Sequence, residues 1–116
     1  MAVLRVVANI ACGDPSAAKA FYGEVLGMTV AMDLGWIATL AGDGNAPPQL
    51  SIATGGGSGA PVPDLSIEVD DLDAVLGRVH AAGIAIEYGP AEEPWGVRRF
   101  FVHDPSGRLL NILAHA

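Results

Sequence analysis

Basic residues and cysteine are the scarcest chemistry in this chain: one lysine, five arginines and one cysteine among 116 residues. The single cysteine, Cys12, excludes an intrachain disulfide and a cluster of thiolates. The shortage of base leaves a formal charge of −7, which argues against a nucleic-acid partner, because phosphate has to be met by a basic face. An acidic surface keeps a protein soluble and can attract a cationic ligand. No apolar run approaches the length of a membrane span, and the start lacks a basic stretch followed by an apolar core. A soluble, cytoplasmic protein with no membrane partner is therefore expected. Half of the residues are apolar and 16% are charged, an ordinary globular composition and enough chain for one domain.

Residues 3–11, Val-Leu-Arg-Val-Val-Ala-Asn-Ile-Ala, read as a strand. Asp14-Pro15 is a helix start, with Asp as N-cap and Pro at the first helical position. Ala18, Phe21, Tyr22 and Val25 form one apolar helical face, and Gly27 ends it. Strands are expected over Met28–Met32, Trp36–Leu40 and Gln49–Thr54, with a loop at Gly42–Pro48. Gly55–Pro63 is linker-like. No Gly-Lys-Ser/Thr follows its glycines, so a flexible connection is expected and not a phosphate cradle.

The pattern then restarts. Asp64–Val69 is a strand, Asp70 or Asp71 caps a helix with Leu72, Val75, Leu76 and Val79 on one face, and Gly83 stops it. Ile84–Tyr88 is expected as a strand, Pro90–Pro94 as a loop, and Arg98–Leu113 as a hairpin turning at Asp104-Pro105-Ser106-Gly107. Val7 and Asp14 have counterparts 57 positions later in Asp64 and Asp71, and Gly35-Trp-Ile-Ala-Thr-Leu parallels Gly96-Val-Arg-Arg-Phe-Phe. Two modules of the order strand, helix, three strands follow: about 1–54 and 64–116, joined by 55–63. Neither is large enough to close its own core, so the two should pair within one α+β domain.

Val7-Ala-Asn-Ile-Ala-Cys-Gly-Asp with Phe21-Tyr-Gly-Glu-Val-Leu-Gly27 resembles the opening of the vicinal oxygen chelate superfamily. That superfamily includes glyoxalase I, extradiol dioxygenases and bleomycin-binding proteins. Asp104-Pro-Ser-Gly-Arg-Leu-Leu-Asn-Ile-Leu113 resembles its closing hairpin, and Trp95-Gly-Val-Arg-Arg-Phe100 is similar to its bleomycin-resistance-like members. The resemblance covers nearly the whole chain. It implies two paired βαβββ modules whose curved, incompletely closed sheet encloses a cavity, and a homodimer.

Metal-dependent members of that superfamily place His, Glu or Gln at four strand positions. Here the resemblance puts Val7, Gln49 or Ser51, Asp64 and Asn111 at those positions. One carboxylate among a valine, an amide and a hydroxyl is a poor donor set for a divalent ion. No metal or other cofactor is expected, and no catalytic residue is assigned.

The candidate ligand-binding residues are Trp36, Gln49, Ser51, Asp64, Trp95, Arg98, His103 and Asn111. Trp36 and Trp95 fill core, or they stack on a flat ligand. Arg98 and Arg99 must point to opposite faces of a strand; one offers a bidentate group and the other meets solvent. His103 precedes the turn, where its ring either reaches the cavity mouth as an acid or base or stays at the surface. His80 and His115 are expected on the surface and Glu92-Glu93 in an exposed loop. The expected function is binding of a small aromatic or cationic molecule, with a metal-dependent lyase or dioxygenase of the same superfamily as the alternative.

Overall fold

The computed structural model describes residues 1–44 and 47–115; Asn45 and Ala46, in the loop expected over Gly42–Pro48, lie outside the described residues. The elements are β1 (Val3–Ala11), α1 (Pro15–Ala20) running on into a π-helical turn (Phe21–Val25), β2 (Thr29–Asp33), β3 (Ile37–Ala41) and β4 (Gln49–Ala53). They are followed by β5 (Leu65–Val69), α2 (Leu72–Ala81), β6 (Tyr88–Glu92), β7 (Val97–His103) and β8 (Leu109–His115). The order strand, helix, three strands therefore occurs twice in an α+β fold. By contacts the chain divides into an N-unit, Val7–Val62, and a C-unit made of Met1–Val6 and the chain from Pro63 onward.

In the N-unit the strand order is β2-β3-β4-β1, with β4 parallel to β1 and the other neighbours antiparallel. Asp14 accepts from the Ala17 N–H at 3.2 Å, with Pro15 at the next position, so the helix starts where its sequence says. Ala18 and Tyr22 pack on Ala38, Leu40 and Ile52. Phe21 and Val25, expected on the same buried stripe, are 53% and 65% exposed. The stripe assumed a 3.6-residue period, and the wider π turn beginning at Phe21 rotates those two side chains away.

The glycine-rich stretch is no loose linker. Gly56 N–H donates to the Ala60 carbonyl at 2.8 Å and Ala60 N–H to the Gly57 carbonyl at 2.9 Å. A Cβ on Gly56 would lie 2.0 Å from the Pro61 oxygen, so only glycine lets the turn close.

In the C-unit the order is β5-β8-β7-β6, with β8 parallel to β5 and antiparallel to β7. Leu72, Val75, Leu76 and Val79 of α2 bury themselves against Val69, Phe100, Val102 and Ile112. Each such burial contributes about 1.5–3 kcal/mol. Asp71 is the cap, accepting from the Ala74 N–H at 3.0 Å; Asp70 instead accepts from the Ala2 N–H at 2.7 Å.

The strand expected over Ile84–Tyr88 begins only at Tyr88 and runs on through Pro90, into the expected loop. An edge strand tolerates a proline because nothing needs its missing N–H, and the pairing shifts register between Tyr88 and Ala91.

The closing hairpin pairs Val97 with His115 through to His103 with Leu109. At its tip one oxygen of Asp104 accepts from Ser106 N–H, Ser106 Oγ and Arg108 N–H, at 2.9, 2.7 and 2.9 Å. No helix among the described residues is long and apolar enough to cross a membrane.

Candidate ligand-binding face

Strand alternation gives the C-unit sheet two different faces. Val69, Phe100, Val102 and Ile112 point to α2, so Ser66, Glu68, Arg99, Phe101 and Asn111 belong to the face without a helix. Register aligns Ser66 with Asn111 and Asn111 with Phe101 across β5, β8 and β7. Asn111 is 8% exposed. Its Nδ2 donates to Ser66 Oγ at 3.1 Å, while Oδ1 is buried with no hydrogen-bond partner among the described residues. A buried carbonyl left in that state costs about 1–3 kcal/mol.

Farther along the same face sits a buried ion pair. Arg99 Nη2 is 2.7 Å and Nε 2.9 Å from Glu93 Oε2, and both side chains are almost wholly sealed from water. Tyr88 OH donates to the same carboxylate at 3.1 Å. The guanidinium carbon lies 5.2, 4.9 and 4.9 Å from the ring centres of Tyr88, Trp95 and Phe101. The charge is thus neutralised by Glu93 and caged by three rings, Phe101 fully buried and Tyr88 and Trp95 half-buried. At the start of the face, Glu68 is held by Arg5 at 3.3 Å and by His115 Nδ1 at 2.5 Å.

The arginine on the Asn111 face is therefore Arg99. Arg98, the expected ligand arginine, lies on the α2 side and pairs with Asp73 at 2.7 Å. There it lines a groove of about 440 Å³ together with Asp70, Asp73, Glu92 and His115. Glu93 is not an exposed loop carboxylate, because Arg99 draws it inward. The shift follows from the module comparison: β3 and β7 match with an offset one residue longer than the Gly35/Gly96 parallel implies, and one residue swaps the faces of a strand.

The other expected residues fall as follows. Asp64 Oδ2 accepts from the Leu109 N–H at 2.8 Å, latching β5 to β8. His103 is half-exposed and 3.3 Å from Glu87. In the N-unit, Gln49 and Ser51 share the face of β4 away from α1, and Ser51 Oγ is 2.8 Å from Thr39 Oγ1, both buried. Trp36 is half-buried, its carbonyl accepting from the Thr54 N–H at 2.9 Å. His80 is exposed. The sequence reading passed over Asn9 and Ser66. Asn9 aligns with Ser51 as Ser66 does with Asn111, so the two are equivalents, and their separation of 57 was the available signal.

A divalent metal does not fit these positions. Val7 has no donor and is 4% exposed, Ser51 is engaged by Thr39, Asp64 by a backbone amide, and Gln49 and Asn111 are neutral amides. Among the described residues no three His, Cys, Asp or Glu side chains are grouped to hold an ion.

The sequence matches the family model of the glyoxalase/bleomycin resistance protein/dioxygenase superfamily over residues 4–112. Solved structures that share the fold include the following three. A Legionella pneumophila protein described as NAD-dependent benzaldehyde dehydrogenase superposes with a TM-score of 0.76 at 17% identity, covering 97% of this chain and 100% of its own. A superfamily member from Vibrio splendidus gives 0.67 at 21% identity, covering 99% and 100%. Methylmalonyl-CoA epimerase from Mycobacterium tuberculosis gives 0.70 at 22% identity, covering 98% and 89%. No curated protein matches the sequence. At such identities the structures speak to fold alone.

Proposed function

Because the chain belongs to the glyoxalase/bleomycin resistance protein/dioxygenase superfamily, we propose that it binds a small aromatic or cationic molecule without a catalytic metal. The binding surface is the C-unit face that carries Trp95 and Asn111. The observation that carries this reading is the half-buried Trp95 ring, held over the Arg99 guanidinium at 4.9 Å beside Tyr88 and Phe101. Glu93 cancels the arginine charge, so what remains to meet a ligand is aromatic surface already fixed in place. Such surface stacks on flat rings and attracts cations, and fixing it beforehand reduces the ordering cost of binding. The net charge of −7 favours the same cations.

Isothermal titration calorimetry with benzylammonium, on protein purified without added metal, tests the reading. Binding should weaken about tenfold in Trp95→Ala. Elemental analysis of the same sample decides the metal question: a stoichiometric divalent ion would put the metal-dependent lyase or dioxygenase reading in its place. The protein is further read as a cytoplasmic homodimer. Leu4 and Val6 share one face of β1 and are 60% and 53% exposed, apolar surface that a second copy would cover. Sedimentation velocity of Leu4→Glu checks this.

A further inference from the structure

Resting on that reading, we infer that Asn111 Oδ1 is the acceptor for an N–H of the bound molecule. The face then selects a protonated amine or an amide at the position where metal-dependent members of the superfamily hold a divalent ion. Four observations converge on it. Asn111 is 8% exposed and its Oδ1 has no partner among the described residues. Its own Nδ2 is committed to Ser66 Oγ at 3.1 Å, which fixes the amide plane and turns the oxygen away from Ser66. Two carboxylates on the same face along β5 have partners of their own, Asp64 Oδ2 in the Leu109 N–H and Glu68 in Arg5 and His115. The acceptor at Asn111 itself is a neutral oxygen. A divalent ion needs several oxygens or nitrogens with negative charge among them, whereas one amide carbonyl suits one N–H donor at about 2.7–3.2 Å.

Trp95 adds the second half of the recognition. Phe101, aligned with Asn111 on β7, is fully buried and packs on the Arg99 guanidinium at 4.9 Å, and Arg99 in turn lies 4.9 Å from the half-buried Trp95 ring. The oxygen and the Trp95 ring thus belong to one face, joined through Phe101 and Arg99. A ligand that carries both an aromatic ring and an N–H meets both.

Two aromatic cations of equal charge separate this inference from the reading beneath it. Benzylammonium has N–H donors and benzyltrimethylammonium has none. Calorimetric dissociation constants for both are measured with the wild type, Asn111→Leu and Asn111→Asp. Wild type should prefer benzylammonium by about tenfold or more, as a hydrogen bond to a charged group does. Asn111→Leu should bring the ratio close to one, and Asn111→Asp, which keeps an oxygen in place, should retain or raise it. An unchanged ratio in Asn111→Leu overturns the inference and leaves the proposed function standing. Failure of both cations to bind wild type overturns both. Circular dichroism shows whether each variant is folded. Should the leucine variant not fold, Asn111→Asp decides: a ratio near one overturns the inference. Stoichiometric Zn²⁺ binding that Asn111→Leu abolishes overturns it as well.

Discussion

Glu93 and Arg99 form an ion pair 2.7 Å long in which neither side chain keeps more than a few per cent of its exposure. A pair of this kind adds little over a well-packed apolar pair, but removing one partner strands a charge in a dry site. Glu93→Gln should lower the unfolding free energy by about 3–5 kcal/mol. The double variant Glu93→Gln, Arg99→Met should recover a large part of it. Urea denaturation of the three proteins gives both numbers.

The turn at Gly56 predicts a contrast between two glycines. Alanine at position 56 would drive Cβ to 2.0 Å from the Pro61 oxygen, backbone against backbone. Gly59 has φ +78° but nothing within 4 Å of a Cβ. Gly56→Ala should cost about 1–3 kcal/mol or more, and Gly59→Ala about 1 kcal/mol of left-handed backbone strain. Thermal unfolding should place Gly56→Ala well below Gly59→Ala.

Asp104 carries a pH prediction. The Ser106 hydroxyl and then the Arg108 N–H hold its carboxyl below the ordinary value of 3.8. A carboxyl with a depressed folded-state pKa stabilises the fold above its unfolded pKa, and that contribution disappears as pH falls through the folded value. The hairpin tip should therefore stay intact through mildly acidic pH and loosen only below the ordinary carboxylate range. The amide signals of Ser106 and Arg108 should shift together in an NMR titration below pH 4 and be flat above it.

At the start of α2 two adjacent aspartates divide the work. Asp71→Ala should destabilise the protein by about 0.5–2 kcal/mol through loss of the Ala74 cap. Asp70→Ala should leave α2 intact and free the amide of Ala2. Hydrogen exchange at Ala74 and at Ala2 reads each effect separately.

The fold was legible in this chain because its signals are local and occur twice. Asp14-Pro15, Gly27, Asp71 and the Asp104–Gly107 turn each fix a boundary through the hydrogen bonds of a few neighbouring residues. What could not be read depends on partners distant in sequence. Pro90 looked like a loop because its position at a sheet edge is a tertiary fact. Phe21 and Val25 looked buried because nothing in the sequence announces a π turn. Arg98 looked as suitable as Arg99 until the register placed one against Asp73 and the other against Glu93. Asn111 was visible as a polar residue in an apolar strand, but only the pairing of β5 with β8 shows that Ser66 occupies half of its amide.

The first strand has a final consequence. Residues 1–6 belong with the second repeat, through Ala2 on Asp70 and Arg5 on Glu68, although the chain spells them before the first. Cleavage within the Gly55–Pro63 turn would not release two self-sufficient halves. The C-terminal fragment would lose its clasp on Glu68 and Asp70, and the N-terminal fragment would carry Leu4 and Val6 with nothing of their own unit beside them. The repeats are duplicates in spelling and unequal in autonomy.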